Sequence, residues 1–71
     1  MGMDKKTFGG RIRRLREEKA LTQAELAEAA GITAIHLGRL ERGLSYPHPR
    51  TRRRIAEALG VGPKELIRED S

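Results

Sequence analysis

The residues between Gly31 and Gly43, GITAIHLGRLERG, place Arg39 and Arg42 three positions apart, with Ile35 and His36 one turn earlier. Arg50, Arg52, Arg53 and Arg54 follow within a dozen positions. A guanidinium is a planar fork of donors that stays charged at any working pH, so it recognises oxygen-rich partners rather than moving protons. The two histidines, His36 and His48, stand twelve residues apart in a chain without cysteine, a spacing and ligand set that do not suggest a metal site. No nucleophile has a base nearby, no paired carboxylates sit in an apolar setting, and no glycine-rich loop is built to cradle a phosphate. Neither an enzyme nor a cofactor is expected.

The distribution of charge sharpens this reading. The 71 residues carry a formal net charge of +5. One basic block holds Lys5, Lys6, Arg11, Arg13, Arg14, Arg16 and Lys19 against Glu17 and Glu18. The other runs from Arg39 to Arg54 and contains Glu41 as its single acid. The stretches 20–38 and 55–71 are each net acidic. Two basic clusters on a small chain suit a polyanion, although a solvated basic surface is the plainer explanation of charge alone. No apolar run approaches the roughly 18 residues of a membrane span, and no signal-peptide pattern appears, so no membrane attachment is expected. The absence of cysteine fits a reducing cytoplasm.

Local signals divide the chain into helices. Phe8, Ile12 and Leu15 form one stripe at i, i+4 and i+7, predicting a helix from about Asp4 to Lys19. Gly9 and Gly10 should weaken its first turn. Thr22 opens the segment TQAE, a capping box with Glu25, and Leu21 can staple onto Leu26. Gly31 should end this helix in the left-handed conformation. Thr33 caps a third helix, stapled by Ile32 and Leu37 and stopped by Gly43. After the loop LSYP, Pro49 suits the first turn of a fourth helix, with Ile55, Ala58 and Leu59 inward, His48 as its cap and Gly60 as its stop. Val61, Pro63 and Leu66 begin a short fifth helix. There is no strand pattern, so the expectation is one compact all-α domain over 1–71, with loose ends at about 1–5 and 69–71.

Helices two and three are joined by Gly31, Ile32 and Thr33 alone, which forces a sharp crossing with the small Ala27 where they touch. The stretches IRRLREEKALTQAELAEAAGIT, LGRLERG and PHPRTRRRIAEALGV resemble the lambda-repressor and Cro-like helix-turn-helix family. The resemblance covers roughly Phe8 to Leu66. It implies a five-helix lambda-repressor-like domain with a central helix-turn-helix, which binds double-stranded DNA as a regulator of transcription. The third helix, Thr33 to Arg42, would lie in the major groove, usually within a homodimer reading two half-sites.

The family's positions carry over one at a time. Its phosphate-contacting glutamine falls on Gln23, its base-reading positions on Ala34, Ile35 and Arg39, and its buried ion pair on Arg16 and Glu41. Helical geometry of about 100° per residue puts Ile35, Arg39 and Arg42 opposite the inward Leu37 and Leu40. Ile35 is either an ordinary exposed hydrophobe or a contact for a thymine methyl; Arg39 is bidentate to guanine or bound to phosphate. Arg42, Arg50 and Arg53 are expected on the DNA backbone. Thr33, a cap first, and His36 can also reach phosphate. Gly38 either permits close approach to DNA or is merely tolerated. Arg52 departs from the family's usual leucine, so that either its stem runs along the core or helix four rotates. Leu66 and Ile67 either form a dimer interface or close the core. No small-molecule effector is evident. A competing expectation is a protein-interaction module, an antitoxin or adaptor, using Ile35, Leu44 and Tyr46 as its contacts.

Overall fold

The computed structural model describes residues 5–67, and side chains over 7–66. Five helices follow in order: α1 (Lys5–Glu18), α2 (Gln23–Ala30), α3 (Ala34–Glu41), α4 (Pro49–Leu59) and α5 (Pro63–Ile67). The ends anticipated as loose at 1–4 and 69–71 lie outside the described residues, while Lys5 already belongs to α1.

Helix starts follow the capping chemistry. The Thr22 hydroxyl accepts from the Glu25 amide at 3.0 Å, and the Glu25 carboxylate accepts from the Thr22 amide at 2.8 Å, completing the capping box. Thr33 accepts from the His36 amide at 3.0 Å. His48 caps α4 through Nδ1, which accepts from the Arg50 amide at 3.3 Å. Helix ends repeat one device, a Schellman pair of bonds closed by a left-handed residue. After α2, Ile32 N–H reaches the Ala27 carbonyl at 2.9 Å with Gly31 at φ 72°. Gly43 and Gly60 serve the same purpose after α3 and α4. After α1 the left-handed position belongs to Ala20, at φ 57°, a residue that carries no local signal for it.

Phe8, Ile12, Leu26, Ala27, Ala30, Leu37, Leu40, Ile55, Ala56, Leu59 and Leu66 form one buried cluster, with Leu15, Leu21, Ile32, Ala58 and Val61 packed on its edge. The principal pairings are α2 against α4 and α1 against α3. The inward face of α4 is centred between Ile55 and Ala56, so Ala58 lies on its flank. At about 100° per residue, Arg52 falls on that same inward face one turn earlier and is half-buried, as a snorkelling stem requires. Leu66 is spent on the chain's own core and is unavailable as a dimer contact. Ile67 lies outside the described side chains.

Two glycines predicted only to weaken α1 behave differently from each other. Gly9 is buried where α1 crosses the end of α3, and a Cβ built there would collide with the backbone carbonyls of Leu40 and Glu41. Gly9 is therefore the contact that lets the two helices close. Gly10 faces open space. Tyr46 stacks on Phe8 with ring centroids 5.1 Å apart, which anchors the loop after α3 to α1.

Candidate nucleic-acid interface

The Gly31 turn and the Thr33 cap make up the short connection by which α2 and α3 pack together, and one ion-pair network ties that pair to α1. Arg16 Nε donates to Glu41 Oε2 at 2.7 Å and Arg16 Nη2 donates to Glu41 Oε1 at 3.1 Å, a two-point fork on a nearly enclosed carboxylate. Arg16 Nη1 also donates to the Leu21 carbonyl at 2.9 Å, reaching into the turn that leads to α2. Gln23, the first residue of α2, donates from Nε2 to Glu41 Oε1 at 3.0 Å. The Arg16 guanidinium is held above its ordinary value, first by the hydrogen bonds to Glu41 and then by the charges of Glu41 and Glu17, against the opposing effect of burial. It stays charged throughout any working pH range.

With Leu37, Leu40 and Glu41 turned inward, α3 presents Ala34, Ile35 and Arg39 to solvent, joined by Arg42 at its C-cap. Ile35 is 79% exposed and is the most exposed of the large apolar side chains described. Gln23, Ala34, Ile35, Gly38 and Arg42 together line an open concavity of about 430 Å³ between the start of α2 and the outer face of α3. Arg42 folds back so that its Nε donates to the Gly38 carbonyl at 3.2 Å. A Cβ on Gly38 would meet the Gln23 amide only at 3.8 Å, so nothing within the protein demands glycine there.

The structure therefore brings five of the sequence-derived positions into one surface. Thr33, His36 and Arg39 lie on or beside the same helix but outside that concavity, with His36 half-buried and Arg39 exposed. Arg50 and Arg53 are exposed on α4 and do not line the concavity. What the residue pattern missed is the second duty of Gln23. Glu41 stands 18 positions away, so no local pattern links the pair. Among the described residues there is no cluster of histidine, cysteine or carboxylate side chains able to hold a metal ion, and no helix is long and apolar enough to cross a membrane.

Comparison with known proteins agrees with this geometry. The family model described as "Helix-turn-helix domain" matches residues 7–69. An uncharacterised HTH-type transcriptional regulator of Sinorhizobium fredii, y4dJ, is 41% identical over 63 residues, covering 89% of this chain and 82% of its own. The restriction-modification controller protein C.AhdI of Aeromonas hydrophila superposes with a TM-score of 0.84 at 36% identity, covering 86% of this chain and 92% of that one. The P22 c2 repressor, solved with a synthetic operator, superposes with a TM-score of 0.83 at 27% identity, over 89% of this chain and 96% of that one. In other relatives the same stretch is one part of a longer protein: the chain spans 24% of the length of its mycobacterial relatives and 46% of a Bacillus subtilis repressor. Helix order, caps, the Arg16–Glu41 tether and these matches converge: the chain belongs to the lambda-repressor and Cro-like helix-turn-helix family.

Proposed function

We propose that this protein is a DNA-binding regulator of transcription that reads double-stranded DNA through the solvent face of α3. The observation that carries the reading is that face itself. A helix whose inward side is spent on the core and on Glu41 offers solvent an apolar branch and two guanidinium groups at the crossing of a helix-turn-helix. The kinship with HTH-type regulators, and with a repressor solved on its operator, supports it.

In this reading α3 enters the major groove, where Ala34, Ile35 and Arg39 face base edges. Arg39, whose guanidinium has no partner among the described residues, is the base reader; its fork fits guanine O6 and N7. Arg42, Arg50 and Arg53 meet the phosphates, and the amide-rich start of α3, with Thr33 and His36, adds an anion-binding end. Gln23 keeps one amide hydrogen on Glu41 and offers the remainder of its amide to a phosphate. Two copies acting together would read two half-sites about one helical turn apart, or a multiple of it.

Salt titration of binding to random duplex DNA tests the reading. Affinity should fall steeply with salt, with a logarithmic slope of about 0.9 per phosphate engaged. No detectable binding at low salt would sink it and favour a protein-interaction module. For that module the exposed candidates are Ile35, Leu44 at 57% exposed, and Tyr46, which stays 40% exposed while it stacks on Phe8.

A further inference from the structure

The concavity lined by Gln23, Ala34, Ile35, Gly38 and Arg42 has polar walls that are partly engaged within the protein. Gln23 Nε2 is on Glu41 and Arg42 Nε is on the Gly38 carbonyl. Between these groups lies open carbon: the exposed Ala34 methyl and Ile35 branch, and the bare Cα of Gly38. Beside that glycine a methyl-sized volume is unfilled, since a Cβ placed there meets nothing nearer than 3.8 Å.

In the major groove, the 5-methyl group of a pyrimidine is the one hydrocarbon a base pair displays. Thymine always carries it, and cytosine carries it only after methylation at C5. Resting on the DNA-binding reading above, we propose that this concavity is a 5-methylpyrimidine site. It accepts thymine and 5-methylcytosine alike, so the protein senses cytosine methylation at one base pair of each half-site. The reason is chemical. An apolar contact does not distinguish the O4 acceptor of thymine from the N4 donor of cytosine, whereas it does register the presence of the methyl.

The experiment uses the whole chain and a duplex recovered by selection from a random library. Each dT is replaced in turn by dU, which removes the methyl and nothing else, and binding is followed by fluorescence anisotropy. At one position per half-site dU should weaken binding by about fourfold, the effect of one buried methyl. At that position 5-methyl-dC should bind tighter than dC by about the same factor. In Ile35→Ala, with folding checked by circular dichroism, both ratios should fall to about one. Equal affinity for dT and dU at every position overturns the proposal while DNA binding stands, and the dU series needs no variant. Unchanged ratios in Ile35→Ala also overturn it. Failure to bind any duplex at low salt overturns the DNA-binding reading itself, a distinct result.

Discussion

Arg16 and Glu41 meet in a two-point contact, 2.7 Å and 3.1 Å, that joins the end of α1 to the end of α3 across 25 positions of chain. The Glu41 carboxylate is nearly enclosed, and its oxygens also take the Gln23 amide. Removing one partner strands the other charge. Glu41→Ala should therefore lower stability by about 3–5 kcal/mol. Replacing both residues with apolar ones of similar volume should recover much of that loss. Urea denaturation of the two single variants and the double variant measures this; equal losses in all three would contradict it.

Ala20 occupies a left-handed position that closes α1, with Leu21 N–H on the Arg16 carbonyl at 3.1 Å and Ala20 N–H on the Glu17 carbonyl at 3.0 Å. An alanine strains there because its Cβ crowds the following carbonyl. Ala20→Gly removes that Cβ and should stabilise the protein by about 1 kcal/mol despite the added freedom of the unfolded chain. A lower urea midpoint for Ala20→Gly would refute the argument.

Gly9 and Gly10 are neighbours with opposite expectations. A Cβ at Gly9 would strike the carbonyls of Leu40 and Glu41, rigid backbone that must move away. Gly9→Ala should cost at least about 2 kcal/mol through overpacking at the α1–α3 crossing. Gly10→Ala meets open space within a helix and should stabilise by about 0.5–1 kcal/mol. Thermal melts of the pair provide the check, since helix propensity alone would shift both melting temperatures upward.

Arg39 and Arg53 are both exposed, one on α3 and one on α4, and the proposed division of labour separates them. Arg39→Ala should relax preference among sequences at one base pair, a change of about 1–3 kcal/mol in discrimination. Arg53→Ala should weaken binding alike on all sequences and reduce the salt slope by about one unit. Competition binding with selected and random duplexes distinguishes the two effects. Identical behaviour of both variants would contradict the assignment.

The sequence by itself determined the five helices and nearly all of their ends. Those signals act within one helical turn: a threonine oxygen three residues from the amide it caps, a glycine where φ must be positive, an apolar stripe repeating with the helix. It also placed Leu37 and Leu40 inward and Ile35, Arg39 and Arg42 outward, because a short helix has little freedom once its inner stripe is known. The tether between Arg16 and Glu41 was visible only through resemblance to a family, since no spacing rule links residues so far apart. Tertiary structure alone decided that Gly9 is a close contact, that Ala20 takes the left-handed turn, that Ala56 is buried more deeply than Ala58, and that Gln23 is bonded to Glu41. Each of these depends on where two elements distant in sequence come to rest. Local hydrogen bonding selects the elements, but their separation and rotation are set by packing the whole core at once.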